Sequence, residues 1–197
     1  MTCIVGVVHK GTVWIGGDSA GVDESFGSSA RSDAKIFQNG PYLMGFTSSF
    51  RMGQLLAYAF DPPKPHDDDD LMRFMVTDFI NEARHCLLNG GFAEKKDEVE
   101  TGGTFLVGYK GRLFNIGSDF QVGENYCGFN ACGCGCDLAL GSLFTTNGQA
   151  DPKKRIKAAL MAAGEFSAGV RPPYHVISEN TEAQVFSLEV ERARRKR

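Results

Sequence analysis

The chain has 197 residues, 42% of them hydrophobic and 23% charged, which is ordinary for a globular protein. Lysine and arginine number 21 and aspartate and glutamate 24, so the formal net charge of −3 argues against nucleic acid as a partner. No apolar run has the length of a membrane span, and residues 1–20 lack the basic start and cleavage site of a signal peptide. The six cysteines form no spaced disulfide framework, which indicates a reducing compartment, and we expect a cytoplasmic protein.

Hydrophobic periodicity and turn residues predict the secondary structure in chain order. The predicted elements are strands at 3–8 and 12–17, a hairpin over 35–45, helices at 48–60 and 69–88, a polar connector at 89–103, strands at 103–109 and 112–117, helices at 137–145 and 152–166, and strands at 174–178 and 184–190. This order predicts an α+β fold, a four-layer αββα sandwich of two antiparallel sheets flanked by helix pairs. We expect one domain over residues 1–190 and a basic tail at 191–197.

The first predicted hairpin brings two polar side chains together at the beginning of the chain. A turn at Lys10-Gly11 gives paired residues whose numbers sum to about 21, which places Asp18 opposite Cys3. The carboxylate of Asp18 would then lie beside the hydroxyl of Thr2. The residues from Thr2 onward are apolar and strand-like, so this end of the chain is predicted to be buried.

The second predicted hairpin adds a lysine. A turn at Asn39-Gly40, a strong hairpin signal, would place Lys35 opposite Met44, where the chain leaves the sheet for a helix. Pro41 would be the first residue of the returning strand. If the two hairpins are neighbours in one sheet, a hydroxyl, a carboxylate, an ammonium group and a helix N-terminus meet at one edge.

Such a cluster has a definite chemistry. A threonine hydroxyl is a weak nucleophile without a base, but loss of Met1 would leave Thr2 with a free α-amine. The reference pKa of that amine, about 7.7–8.0, allows its neutral form to accept the hydroxyl proton. Lys35 would lower the pKa of the amine and the hydroxyl, and Asp18 would hold the lysine charged and oriented. Backbone N–H groups at the helix start near Ser48 would hold an oxyanion.

The motifs on these elements resemble those of a known family. The segments GGDSAG, Lys35-Ile36, GFTSS, TGGTFLVGY and CGCGCDLALG are similar to segments of the N-terminal-nucleophile (Ntn) hydrolases of the proteasome β-subunit and bacterial HslV type. The similarity runs through nearly the whole chain, with all elements in the family's order. It implies the αββα fold and a threonine-type peptidase acting on peptides or unfolded proteins. It also implies homo-oligomeric rings, an ATPase unfoldase as a further partner, and no cofactor.

The resemblance also implies roles for five residues. Thr2 matches the threonine nucleophile, and Asp18 and Lys35 match the supporting carboxylate and lysine. Ser48 matches the position whose N–H forms the oxyanion hole, although glycine is usual there. Cys134 stands where a serine usually relays protons to the terminal amine, and a thiol is a weaker donor.

A further implication of the resemblance concerns an alkali cation. The segment AAGEFSAGV is similar to the corresponding HslV segment. By spacing, Gly164, Ser167 and Val170 match the backbone positions that hold such a cation in HslV-like proteins.

Two clusters allow metal binding as an alternative. The aspartate run Asp67–Asp70 is better explained as a solvated loop that places negative charge at a helix N-terminus. Cys127, Cys132, Cys134 and Cys136 have enough sulfurs for zinc or an iron–sulfur centre. Their spacing differs from the usual pairs of cysteines two residues apart, so we expect buried or redox-sensitive thiols and no metal.

Other functions also fit the sequence. An inactive assembly scaffold of the same fold would retain Met1, and an acylase of the same fold would hydrolyse small amides. Cys3 could serve as nucleophile only if Thr2 were removed as well. No G-x-S-x-G elbow is present, which disfavours the serine hydrolases that use one.

Overall fold

The computed structural model describes residues 1–25, 27–66, 70–96 and 99–179, together with the backbone of residues 181–186. The predicted tail at 191–197 and residues 187–190 of the last predicted strand lie outside this range. So does the aspartate run, apart from its last residue, Asp70. Within the described part of the chain, no helix combines the length and the apolar character needed to span a membrane.

The described residues form short strands, five α-helices and one π-helical turn. The strands are β1 (Cys3–His9), β2 (Thr12–Gly17), β3 (Ala20–Val22), β4 (Ser28–Ala30), β5 (Ile36–Asn39), β6 (Tyr42–Phe46), β7 (Glu94–Lys96), β8 (Val99–Thr101), β9 (Phe105–Tyr109), β10 (Arg112–Ile116), β11 (Val122–Glu124), β12 (Phe129–Gly133), β13 (Tyr174–Ser178) and β14 (Thr181–Phe186). The helices are α1 (Phe50–Tyr58), α2 (Leu71–Phe74), α3 (Ile80–Asn89), α4 (Cys136–Thr145) and α5 (Pro152–Phe166), with a π-helical turn at Met75–Phe79 joining α2 to α3.

Two five-stranded antiparallel sheets pack face to face. Their strand orders are β12-β1-β2-β13-β14 and β11-β10-β9-β6-β5. Apolar side chains fill the layer between them: Ile4, Val13, Ile15, Ile36, Leu43, Leu106, Leu113, Cys132 and Ile177. Helices α4 and α5 cover the outer face of the first sheet, and α1 with the segment 71–89 covers the second. This arrangement confirms the predicted αββα sandwich, in which both faces of each central strand are buried.

The register of the first hairpin is the predicted one. Ile4 pairs with Gly17, and His9 pairs with Thr12 across the turn. The backbone N–H of Asp18 donates to the carbonyl of Cys3 at 3.3 Å. Asp18 therefore begins where the hairpin ends, next to the first residues of β1.

The predicted register of the second hairpin is shifted by two residues, because Lys35 does not lie opposite Met44. Phe37 pairs with Met44, and the Lys35 carbonyl accepts from the N–H of Phe46 at 3.0 Å. The turn consists of Gly40 and Pro41, not Asn39 and Gly40. Gly40 has a φ of 56°, and the ring of Pro41 sets the next φ near −65°, which suits a type II′ turn. Pro41 is thus a turn residue and not the start of a strand.

The hypothesis that the two hairpins are neighbours in one sheet is also wrong. Strands β1 and β2 belong to one sheet, whereas β5 and β6 belong to the other. The polar residues at their ends meet across the layer between the sheets. The strand pattern could not decide this, because residues that are apolar on both faces fit either a neighbouring strand or a facing one.

Smaller differences concern the loops and helix ends. The predicted polar connector contains the ribbon of β7 and β8, and the strands β3, β4, β11 and β12 are absent from the predicted elements. Ser49 caps α1: its hydroxyl accepts from the N–H of Arg51 at 3.0 Å. Asp70 caps the next helix by accepting from the N–H of Met72 at 2.9 Å.

Helix α5 packs so closely on β2 that glycine is required at one position. A Cβ atom at Gly16 would lie 2.2 Å from Cγ2 of Ile156. We therefore expect Gly16→Ala to lower the free energy of unfolding by about 1–3 kcal/mol in urea denaturation, through overpacking. Gly141 in α4 is the control, because a Cβ there has nothing within 4 Å. Gly141→Ala is expected to stabilise by about 0.5–1 kcal/mol, and equal effects at both positions would contradict the close packing.

Candidate active site

Thr2 lies at the start of β1, where it is almost fully buried. In this chain its nitrogen is still an amide linked to Met1, and its hydroxyl donates to the Met1 carbonyl. The N–H of Thr2 donates to Sγ of Cys134 at 3.3 Å. The carbonyl of Thr2 accepts from the N–H of Gly135 at 3.4 Å, so the segment after β12 holds Thr2 through both its N–H and its carbonyl.

Asp18 and Lys35 form a fully buried ion pair next to Thr2. Nζ of Lys35 lies 3.0 Å from Oδ1 of Asp18, and both side chains are inaccessible to solvent. The carboxylate also accepts from the N–H groups of Cys3 at 2.9 Å, Ala20 at 2.8 Å and Arg171 at 3.4 Å. These donors and the Lys35 ammonium hold the carboxylate in place and supply the hydrogen bonds that a buried carboxylate needs.

The ammonium group of Lys35 points toward the chain start. Its Nζ donates to the Met1 carbonyl at 3.3 Å, the same oxygen that accepts from the Thr2 hydroxyl. Burial lowers the pKa of Lys35, and the negative charge of Asp18 partly opposes that shift. The group lies in a low-dielectric site beside a carboxylate, where the field of an ammonium acts strongly on nearby atoms.

Ser48 belongs to the wall of a small cavity beside Thr2. The cavity has a volume of about 50 Å³ and is lined by Met1, Thr2, Val22, Phe46, Thr47, Ser48, Ser49 and Phe50. Ser48 has a φ of 61°, in the left-handed region that favours glycine. Its hydroxyl oxygen accepts from the N–H of Thr104 at 3.2 Å, which helps to hold this conformation.

Cys134 contacts the backbone of Thr2 on both sides of its Cα atom. Its Sγ accepts from the N–H of Thr2, and its thiol donates to the Thr2 carbonyl at 3.4 Å. The hydroxyl of Ser167 lies 3.6 Å from the same sulfur. The thiol is therefore close to the nitrogen that becomes an amine if Met1 is removed.

All five residues singled out in the sequence lie in this region. Thr2 contacts Cys134 directly, Lys35 connects Asp18 to the Met1 carbonyl, and Ser48 lines the same cavity as Thr2. The roles assigned to them stay predictions.

The sequence reasoning missed a second set of contacts behind Asp18. The hydroxyl of Ser19 donates to the carbonyl of Pro173 at 2.6 Å, and Nε2 of His175 lies 3.1 Å from the same hydroxyl oxygen. Ser19 was visible only as the neighbour of a predicted site residue, and His175 only as a histidine within a strand. Their proximity results from the pairing of β2 with β13.

The other cysteines have different surroundings. Cys3 is fully buried toward α5, and burial raises the pKa of its thiol, which disfavours Cys3 as a nucleophile. Cys132 lies in the layer between the sheets, whereas Cys127 is exposed. Within the ranges described above, no group of three or more His, Cys, Asp or Glu side chains is arranged to hold a metal ion.

The segment implicated in cation binding follows α5. Gly164 lies in the last turn of this helix, and Ser167 is its C-terminal cap. The carbonyl of Ser167 accepts from the N–H of Val170 at 3.2 Å. A cation held by backbone carbonyls here stays a prediction.

Comparison with known proteins gives no sequence match but a clear structural one. No protein-family model matches the chain, and no curated protein matches it either. The structure of Thiobacillus denitrificans BPH in complex with epoxomicin has a TM-score of 0.74 and 20% identity, covering 94% of this chain and 99% of that one.

Two further solved structures agree with this result. HslV from Trypanosoma brucei has a TM-score of 0.62 and 16% identity, covering 89% of this chain and 98% of that one. An Anbu mutant from Hyphomicrobium sp. strain MC1 has a TM-score of 0.69 and 12% identity, covering 99% of this chain and 91% of that one. BPH, HslV and Anbu are all proteasome β-type Ntn proteins. The chain therefore has the fold of the proteasome β-type Ntn hydrolases, as the sequence motifs indicated.

Proposed function

We propose that this protein is an N-terminal threonine hydrolase that cleaves peptide bonds once the Met1–Thr2 bond has been cut. The observation that carries this proposal is the position of the buried Asp18–Lys35 pair, whose ammonium group reaches the Met1 carbonyl beside the Thr2 hydroxyl. Removal of Met1 takes away that carbonyl. The hydroxyl of Thr2 and the ammonium of Lys35 then face the space in which a substrate carbonyl would bind.

These positions support the following reaction. The neutral α-amine of Thr2 accepts the proton of its own hydroxyl, and Oγ1 attacks the substrate carbonyl carbon. The N–H of Ser48, in the wall of the cavity, stabilises the oxyanion of the tetrahedral intermediate. The protonated amine then gives its proton to the leaving nitrogen, which leaves an ester on Thr2. Water, deprotonated by the same amine, hydrolyses this ester and restores the hydroxyl.

Three residues tune these steps. Lys35 disfavours protonation of the amine and stabilises negative charge on Oγ1, because a nearby cation lowers the pKa of both groups. Asp18 keeps Lys35 charged and oriented. Cys134, at 3.3 Å from the Thr2 nitrogen, moves protons to and from the amine as a serine does at the matching position of the family.

A pocket next to the cavity supports a preference for large apolar side chains. It has a volume of about 160 Å³ and shares Phe46 and Phe50 with the wall of the Thr2 cavity. Its lining is mainly aromatic and aliphatic: Asp33, Ala34, Ile36, Phe37, Phe46, Phe50, Gly53, Gln54, Ala57 and Tyr58. We propose that it receives the side chain of a residue next to the scissile bond.

Filling this pocket should change the specificity. For Ala57→Phe, we expect kcat/KM for peptides with Leu or Phe at that residue to fall by about tenfold or more, because the lost apolar contact contributes roughly 1–3 kcal/mol. Hydrolysis of the matching alanine peptides by the same variant is the internal control and should change less than twofold. An equal loss for large and small side chains would contradict the assignment of the pocket.

The test of the proposed function compares a blocked with a free amine in the same chain. One sample carries a removable fusion before Thr2, and in the other the fusion is cut so that Thr2 becomes the first residue, as intact mass spectrometry verifies. Both are assayed with fluorogenic peptides and with simple amides. We expect peptide hydrolysis only in the second sample. Hydrolysis of simple amides alone would favour the acylase, and inactivity of both samples would favour the assembly scaffold.

We also propose that the protein forms a homo-oligomeric ring. The Anbu structure from Yersinia bercovieri is described as an ancestral β-subunit, which supports an oligomer for this fold. Leu138, Phe144 and Phe166 expose apolar surface on the side of α4 and α5, as subunit contacts often do. Sedimentation velocity should show a discrete species larger than the monomer, and a monomer at all concentrations would contradict the ring. An ATPase unfoldase partner and a cytoplasmic location stay predictions.

A further inference from the structure

His175 lies behind the Asp18–Lys35 pair, on the side of β13 that faces the second sheet. Along β13, Tyr174 and Val176 pack toward the helices, and Ile177 packs between the sheets. Because side chains alternate along a strand, His175 shares the inner face with Ile177. His175 pairs with Gly17, the residue that precedes Asp18, so its ring lies at the corner where β2 ends.

Ser19 connects this histidine to the chain around Asp18. The Ser19 hydroxyl donates to the Pro173 carbonyl at 2.6 Å, so its oxygen must accept the N–H of Nε2 of His175, 3.1 Å away. The backbone N–H of Ser19 donates to the carbonyl of Arg171 at 3.0 Å. The N–H of Arg171 in turn donates to Oδ2 of Asp18 at 3.4 Å.

The backbone carbonyl of Ser19 is used as well. It accepts from the N–H of Arg31 at 2.8 Å, which ties the corner to the end of β4. The N–H of the following residue, Ala20, donates to Oδ2 of Asp18. Every polar group of this fully buried serine thus holds the corner that presents the Asp18 carboxylate.

We propose that His175 is a positioning residue that acts through Ser19. Its N–H sets the direction of the Ser19 hydroxyl, and the hydroxyl holds the segment 171–173 against the corner at residues 18–20. The Ser19 hydroxyl thereby keeps the Asp18 carboxylate at a fixed distance from Thr2, and the carboxylate in turn keeps the Lys35 ammonium in place. This role rests on the proposed function, because it serves the chemistry of Thr2.

The kinetic test compares five variants, one of them a control, with the processed wild type. His175→Leu and Ser19→Ala each remove the link, and we expect kcat to fall by roughly tenfold or more with KM changed less than twofold, since small displacements of reacting groups reduce rates strongly. The double variant should lose no more than Ser19→Ala alone, because His175 acts only through the Ser19 hydroxyl. His175→Gln retains an N–H donor near Nε2 and should restore kcat to within about threefold of wild type. His85→Gln, on the exposed side of α3, is the matched control.

Amide hydrogen exchange provides a readout that does not need activity. The N–H of Ala20 donates to Asp18, so His175→Leu should increase its exchange at least tenfold, while the amide of Val5 in the middle of β1 stays unchanged. If the His175→Leu variant does not fold, the single variants Ser19→Ala and His175→Gln are compared instead, one without the link and one with it. Three results would each overturn the proposal. The first is a wild-type kcat in both His175→Leu and Ser19→Ala, and the second is a loss in the double variant equal to the product of the two single losses. The third is an unchanged exchange rate at the amide of Ala20. If the wild type itself shows no Thr2-dependent hydrolysis, the proposed function fails, and the exchange measurement still decides the positioning of Asp18.

Discussion

Replacing Thr2 by alanine is expected to reduce peptide hydrolysis by the processed chain at least about 10³-fold, because it removes the only oxygen that can form the ester in the proposed reaction. The amine, the Asp18–Lys35 pair and the cavity wall stay in place. The residual rate therefore measures how much substrate binding and the oxyanion contact accelerate hydrolysis without the Thr2 hydroxyl. Steady-state assays of the purified variant against the same fluorogenic peptides measure the loss.

Thr2→Ser is the matched control, since it keeps the hydroxyl and removes one methyl group. We expect this variant to retain hydrolysis within about tenfold of the wild type, because the nucleophilic oxygen is preserved. Both variants should unfold at nearly the same temperature as the wild type. Equal activity of the alanine variant and the wild type would remove Thr2 from the mechanism and leave only the fold.

Lys35→Met is expected to have the second large effect, on both stability and activity. It leaves the Asp18 carboxylate buried without its cation, which should lower the free energy of unfolding by about 3–5 kcal/mol. It also removes the charge that favours the neutral amine and the negative Oγ1 of Thr2, so kcat/KM should fall at least about 10²-fold. Urea denaturation and peptide hydrolysis measure the two effects separately.

The double variant Lys35→Met/Asp18→Asn separates the role of the ion pair in stability from its role in catalysis. Because Lys35 and Asp18 are 3.0 Å apart, the stability losses of the single variants should sum to clearly more than the loss of the double variant. Activity should not recover, since neither the cation nor its orientation is restored. Additive stability losses would contradict a functional ion pair, and a Lys35→Met variant with full activity would contradict the role of the lysine.

Much of the site followed from local features of the sequence. The turn at Lys10-Gly11 set the register of the first hairpin, so the turn residues alone were enough to place Asp18 beside Thr2. The chemistry of a threonine amine with a nearby lysine and aspartate then followed from general principles. The helix start near Ser48 was also selected from the residues, and the family motifs extended this reasoning to Cys134, which local patterns alone would not have selected.

Contacts between distant segments were beyond such reasoning. The position of Lys35 depends on the packing of one sheet on the other, and strands that are apolar on both faces do not specify which strand lies opposite. Ser19 and His175 are 156 residues apart, and only the pairing of β2 with β13 brings them together. The register of the second hairpin was mispredicted because its turn consists of Gly40 and Pro41, whereas the Asn-Gly dipeptide had indicated a turn one residue earlier.

The sequence by itself determined the order of the longer strands and helices, the αββα class and the beginning of the site at Thr2 and Asp18. These depend on periodicity and turn residues, which act over a few neighbouring positions. Only the tertiary structure decided that the ammonium of Lys35 approaches the Met1 carbonyl from the opposite sheet, and that His175 and Ser19 lie behind the carboxylate. The reason is physical: burial of apolar faces drives the two sheets together without direction, and the side-chain contacts that result depend on the packing of the whole domain.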